Sequence, residues 1–179
     1  MPAQTRATPV APAALDHFNA APHDDAVRTL LSCLNSLRWS HRIAAHRPYP
    51  DLPALLAAAD EATYDLTPDD LTEALAAESL PALPEDAYSA AHTALRAAHA
   101  AYESRFGHVF VICLDGVAPA ETLDYVLEAI RSRLANDPEE ERAVAGDELR
   151  RLARGRLTHT LRGTGPQRSA APPRGAAGR

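Results

Sequence analysis

His92, Arg96, His99 and Glu103 fall at steps of four, three and four residues, a spacing that lines two imidazoles, a guanidinium and a carboxylate along one helix face. Such a stripe can exchange protons near neutral pH, and it can equally be an exposed polar face with an ordinary ion pair. His108, directly after Gly107, is a further group whose charge changes in that range. Other chemistries lack their residues. All 18 basic residues are Arg, which excludes a lysine Schiff base, an internal PLP linkage and a GxxxxGK[ST] phosphate loop. No GxSxG turn presents a serine nucleophile. His41 and His46 lie five apart, His92 and His99 seven apart, and no HExxH or Cys/His cluster occurs, so no metal site is expected. Cys33 and Cys113 lack a CxxC spacing and read as buried free thiols.

These groups must be positioned by a scaffold of modest size. A chain of 179 residues suits one domain with a real core, and with aromatic residues at only 5% that core must be built from Ala, Leu and Val. Alanine favours helix. The net charge of -6 repels phosphate backbones, so nucleic acid is not an expected partner. No run approaches the roughly 18 to 20 apolar residues that cross a bilayer, and the N-terminus lacks the apolar stretch of an export signal. A soluble cytoplasmic protein is expected.

Residues 1–12 and 163–179, rich in Pro, Gly, Ala and Arg without periodicity, are expected to be disordered tails around a folded domain of residues 13–162. Within it, Val27, Leu30, Leu31, Leu34 and Leu37 predict one amphipathic helix capped by Asp24 and reaching Trp39, followed by a short helix to His46. Asp51-Leu52-Pro53 and Thr67-Pro68-Asp69-Asp70 are helix starts, the first helix running to Tyr64 and the second to Ser79. Pro84-Glu85-Asp86 starts a long helix that Gly107 stops. His108 to Cys113 is apolar and strand-like but has no β partner, so it is expected to be a buried connector. Pro119 and Pro138 begin the last two helices. The prediction is an all-α, single-domain bundle of six to eight helices.

Several segments in this order resemble the 2-oxo-4-hydroxy-4-carboxy-5-ureidoimidazoline (OHCU) decarboxylase family, whose reaction completes the conversion of urate to S-allantoin. They are Phe18-Asn19, Leu30-Leu31-Ser32-Cys33, Arg38-Trp39 and Arg47-Pro48-Tyr49, then Tyr102-Glu103-Ser104-Arg105-Phe106-Gly107-His108-Val109-Phe110-Val111. That last segment is similar to the family's Tyr-x-x-(Arg/Lys)-Phe-Gly-x-x-Phe signature. Arg133-Leu134-Ala135-Asn136-Asp137, with Glu148 and Arg156-Leu157, is similar to its closing region. The resemblance spans about Leu15 to Leu161 and implies an all-α fold, no metal or organic cofactor, a homodimer, and a pocket for a small anionic or heterocyclic substrate. By the same resemblance Phe106, Gly107, Val109 and Phe110 line that pocket. Arg156 grips a carboxylate or ureido oxygen by a two-pronged hydrogen bond.

Two family elements are missing. Where the family carries His-Pro-(Arg/Asp)-(Ile/Leu)-Gly, with the histidine as usual proton donor, this chain reads Glu78-Ser79-Leu80-Pro81-Ala82. The Ser-x-x-Glu-Gln element has no counterpart between Leu83 and Ala91. Glu78 stands in the histidine's place, a partly desolvated carboxyl there would suit proton donation, and Glu85 or Asp86 could replace the missing glutamate. His99 stands where the family usually has Asn. Glu78, His99 and His108 are therefore the candidate catalytic groups. Three readings follow: a cofactor-free lyase-type enzyme repurposed to decarboxylate, cyclise or otherwise transform another small carboxylated or heterocyclic substrate in specialised metabolism; OHCU decarboxylation itself; and a non-catalytic binding or partner protein on the same scaffold.

Overall fold

Short polar caps and prolines begin the helices that frame the molecule, whose computed structural model describes residues 12–81 and 89–162. The side chain of Asp51 accepts from the Ala54 amide at 2.8 Å and opens α4, Leu52–Tyr64. Thr67 and Asp70 form a reciprocal capping box, with amide-to-side-chain distances of 2.9 and 3.2 Å, at the start of α5, Pro68–Ala76. Asp137 Oδ1 accepts from the amides of Glu139 and Glu140, both at 2.9 Å, and starts α8, Pro138–Arg162. The remaining helices are α1 (Pro12–Ala20), α2 (His23–Leu31), α3 (Leu37–Ala45), α6 (Ser89–Phe106) and α7 (Thr122–Arg133), the last preceded by a 3-10 turn at Pro119–Glu121. The described residues thus hold eight α-helices and no strand, the all-α bundle expected. Among them no helix is long and apolar enough to cross a membrane.

Helix α8 is the spine. Its buried positions Glu141, Ala145, Leu149, Ala153, Leu157 and Leu161 recur every fourth residue and form one stripe, which packs on α4 and α1. With α2 and α3 these helices enclose a first core around Leu30, Trp39 and Leu55. Inside it Trp39 donates its indole N–H to the Ala59 carbonyl at 3.0 Å, and the Tyr49 hydroxyl donates to Ile43 O at 2.9 Å. Both rings are core. A second core, around Tyr102, Phe110, Val126 and Ile130, lies between α6 and α7.

The segment from Gly107 to Ala118 runs between the two cores without regular structure. Its side chains alternate as in any extended chain. Val109 and Val111 pack on the first core, while Phe110, Ile112 and Leu114 pack on the second. That period of two explains the strand-like pattern in a segment with no strand to pair with. Gly107 turns the chain out of α6 at φ 77°, a left-handed conformation that side chains beyond glycine disfavour.

Three expectations need correction. The predicted helix from Asp24 to Trp39 is two helices, because buried Ser36 takes extended backbone and its hydroxyl accepts from the Trp39 amide, capping a new start. Asp24 lies in the first turn of α2 rather than capping it. Helix α5 ends at Ala76, short of Ser79. α1 was not foreseen, since its Pro/Ala-rich start has no clear period. It docks because Asn19 pairs with the backbone of Tyr49 at both N–H and C=O, each at 2.9 Å, and Arg47 donates to Phe18 O and Ala21 O. Of the tails expected at 1–12 and 163–179, Pro12 belongs to α1 and the rest, like the helix start at Pro84-Glu85-Asp86, lies outside the described residues.

Candidate functional site

Glu78 leaves the C-terminal end of α5 at a turn in which its amide donates to Leu75 O, and Arg156 projects from the middle of α8. The two side chains meet in a forked pair, Nη1 to Oε1 at 2.7 Å and Nη2 to Oε2 at 2.8 Å. Nη1 also donates to the Cys33 carbonyl at 3.0 Å. The guanidinium is therefore held in place by three hydrogen bonds, and the Glu78 bonds raise its pKa against the opposing effect of burial. Glu78 is 8% exposed and Arg156 38%, so one face of the pair is sealed and the other is wet. That wet face opens on a cavity of about 340 Å³ walled by Val111, Ile112, Leu152 and Asp115. The proposed proton donor and the proposed anion clamp thus occupy one site, each bound to the other.

The connector is divided between two cavities. Its later half, Val111 to Asp115, walls the Arg156 cavity. Its earlier half, Gly107, His108 and Val109, lines a separate cavity of about 390 Å³ with Thr72, Leu75 and Glu103. The ring of His108 sits edge-on to Tyr102 at 5.5 Å and its Nδ1 lies 3.0 Å from Val109 O. Phe106 is half-buried and packs on Tyr102 at 4.8 Å, Phe110 is fully buried, and neither ring lines either cavity.

The four-residue stripe of α6 splits by exposure. Arg96 and Glu103 are exposed and His92 is half-buried. His99 is buried against Phe110, ring centroids 6.0 Å apart, and its Nε2 has no hydrogen-bond partner. Burial lowers its pKa, with the Glu103 charge opposing, so the ring is held in its neutral form. It lines neither cavity. Burial also raises the pKa of the free thiols Cys33 and Cys113, away from reactive thiolate. Among the described residues no three of His, Cys, Asp and Glu gather as metal ligands.

Sequence reasoning missed the network that fixes the connector. Arg133, on α7, donates from Nε to Glu141 Oε1 at 2.8 Å and from Nη1 to the Val111 carbonyl at 2.7 Å. The Tyr102 hydroxyl donates to the same carboxylate, which takes a further bond from Asn136 Nδ2 at 2.9 Å. Burial, with that carboxylate beside it, raises the Tyr102 pKa far above its ordinary range. Two residues on, the Cys113 amide donates to Glu148 Oε2 at 2.7 Å. Side chains thus take the place of a neighbouring strand. The signal available was Glu141 itself, but three successive acids after Pro138 read as an ordinary helix start. Glu139 and Glu140 are exposed as that reading requires, and Glu141 faces the core.

A family model described as OHCU decarboxylase matches residues 19–87 and 81–158. Among solved structures, the chain is similar to an (S)-allantoin synthase, with TM-score 0.65 and 20% identity over 82% of this chain and 53% of that one. It is also similar to an OHCU decarboxylase crystallised with (S)-allantoin, with TM-score 0.64 and 19% identity over 79% of this chain and 99% of that one. The chain spans about half the length of the allantoin synthase chain. No curated protein sequence matches it. At these identities the two structures establish a shared fold.

Proposed function

The chain belongs to the OHCU decarboxylase family, and from that premise we propose that it is a cofactor-free lyase-type enzyme, repurposed to transform a small carboxylated or heterocyclic substrate in the Arg156 cavity. The observation that carries this reading is the forked Glu78–Arg156 pair with one face open to a cavity. A substrate carboxylate presents Arg156 with the same two oxygens as Glu78, so it can take Glu78's place without rebuilding the site. Glu78 then stands beside the bound substrate, among Val111, Ile112 and Leu152. Decarboxylation breaks the bond to the carboxylate carbon, leaves the electron pair in the substrate's own sink, releases carbon dioxide and requires one proton on the resulting carbanion. Glu78 relays that proton, taking it from solvent and passing it to the carbanion. Replacement of the family's His-Pro element by Glu78-Ser79 favours a changed substrate over an unchanged one.

OHCU decarboxylation, with Glu78 as donor because His108 lines the separate cavity and His99 lines neither, is the second reading, and the family match favours it. One experiment separates the readings. The protein is given freshly generated OHCU, and separately a panel of carboxylated heterocycles, while carbon dioxide release and the optical activity of any allantoin are followed. Turnover of a panel member with OHCU left at its spontaneous rate supports repurposing. Optically active S-allantoin at an enzyme-dependent rate supports the second reading. No turnover of any substrate, with small carboxylates still bound, leaves a binding protein.

A further inference from the structure

The Arg156 cavity continues along α8. A cavity of about 310 Å³ shares Asp115, Leu152 and Arg156 with it and adds Ser32, Gly155 and His159. Asp115, Gly155 and His159 in turn line the largest of these cavities, about 560 Å³, whose further walls carry Tyr125, Arg151 and Arg162. The three adjoin along α8, and Asp115, Gly155 and His159 stand where the last two meet.

Charge in the far part of this groove is unbalanced. Arg154, on its edge, is held by Asp60 at 2.6 Å. Arg151 is 52% exposed and pairs only with acids of its own helix, Asp147 at 3.2 Å and Glu148 at 3.6 Å, a weak surface arrangement. Arg162 and His159 have no ion pair or hydrogen bond among the described residues. The chain as a whole carries -6, yet here guanidinium groups outnumber the one lining carboxylate, Asp115. A cationic groove on an acidic protein concentrates anions.

Gly155 supplies the second observation. It lies in the interior of α8, where glycine is disfavoured relative to alanine. A Cβ at this position would stand 3.0 Å from Asp115 Oδ2, so a side chain here would press on the Asp115 carboxylate. Gly155 and Asp115 thus meet where the two smaller cavities adjoin the largest one.

We propose that the far end of the groove, at Arg162, His159 and Arg151, is a second anion subsite, and that the substrate is an elongated dianion with one carboxylate on Arg156 and its other anionic group there. This rests on the reading of the Arg156 cavity as the substrate pocket and adds its substrate class. A compact mono-anion would leave Arg162 and His159 without a role.

Calorimetric titration with hexanoate and with a series of α,ω-dicarboxylates from succinate to sebacate tests it, in the wild-type chain and in Glu78→Ala, where Arg156 is free of its internal partner. The expected result is a chain-length optimum at which the dicarboxylate binds at least tenfold more tightly than hexanoate. Arg162→Ala, at an exposed helix end, should abolish that gain and leave hexanoate binding unchanged. Gly155→Ala, which favours the helix while pressing Asp115 away from it, should change the chain-length optimum and leave hexanoate binding in place. Equal binding of mono- and dicarboxylates in both backgrounds, or an equal loss for both in Arg162→Ala, overturns the second subsite. Failure of the underlying pocket looks different: Arg156→Ala would then leave hexanoate binding untouched.

Discussion

Two Arg–Glu pairs lie beside the same connector, one bonded to its backbone and one sharing a cavity with it, and they are built to different ends. Arg133–Glu141 is sealed, with side-chain exposures of 8% and 1%, and its remaining hydrogen-bonding capacity goes to Tyr102, Asn136 and the Val111 carbonyl. Arg156–Glu78 leaves its guanidinium 38% exposed beside a cavity, with one backbone carbonyl as its further partner. A sealed pair cannot exchange a member without leaving an uncompensated charge in the core. A pair with a wet face can exchange one, because the incoming anion replaces the outgoing one and water solvates what is displaced. The first pair therefore fixes where Val111 and its neighbours lie, and the second presents chemistry to whatever those neighbours enclose.

The sharpest way to break this contrast is to remove one carboxylate from each pair. Glu141→Gln strands the Arg133 charge in the core and should cost about 3–5 kcal/mol, read as a large fall in the denaturation midpoint. Glu78→Gln, beside the open cavity, should cost about 1 kcal/mol or less. Replacing both sealed partners, Arg133→Met with Glu141→Leu, should recover most of the stability lost in Glu141→Gln, because no stranded charge remains. If the single Glu141 variant proves as mild as the Glu78 one, the structural role given to the sealed pair is wrong. Arg156→Ala sharpens the other half. It should weaken small-carboxylate binding at least tenfold, equivalent to about 1.4 kcal/mol, while moving the denaturation midpoint little. Calorimetry and denaturation on the same sample separate those effects, and unchanged affinity would remove Arg156 from the binding site.

The two pairs also differ in how far they could be read from sequence. Glu78 and Arg156 were each singled out, one as an acid and one as an anion clamp, but nothing local in sequence announces that residues this far apart close on each other. Glu141 was hidden for the opposite reason, since a local rule about acids at helix starts explained it fully and wrongly. The same logic runs through the fold. The starts of α4 and α5 were legible because caps and first-turn prolines act over four residues. The break between α2 and α3 was not, because the apolar period continues across it and only the Ser36 cap marks it. Phe110 was read as pocket wall, and the alternation along the connector turns it into the second core instead.

His99 provides the smallest and most specific test, since it sits beneath the sealed side and has no part in the open one. Its folded-state pKa is lowered by burial from the ordinary 6.5. A histidine lowered on folding binds fewer protons in the native state, so its stabilising effect is complete above pH 6.5 and is lost as pH falls from there through the lower native value. Denaturation midpoints of the wild-type chain should therefore drop between pH 7.5 and pH 5.5, and His99→Leu should flatten that drop. At pH 7.5 the variant should be no less stable, because leucine also removes a buried nitrogen that has no hydrogen-bond partner. An unchanged pH profile in His99→Leu would mean that this ring is charged, or wet, in the folded state. It would then return to the set of groups able to move a proton, and the division between a sealed structural side and an open chemical side would lose its boundary at α6.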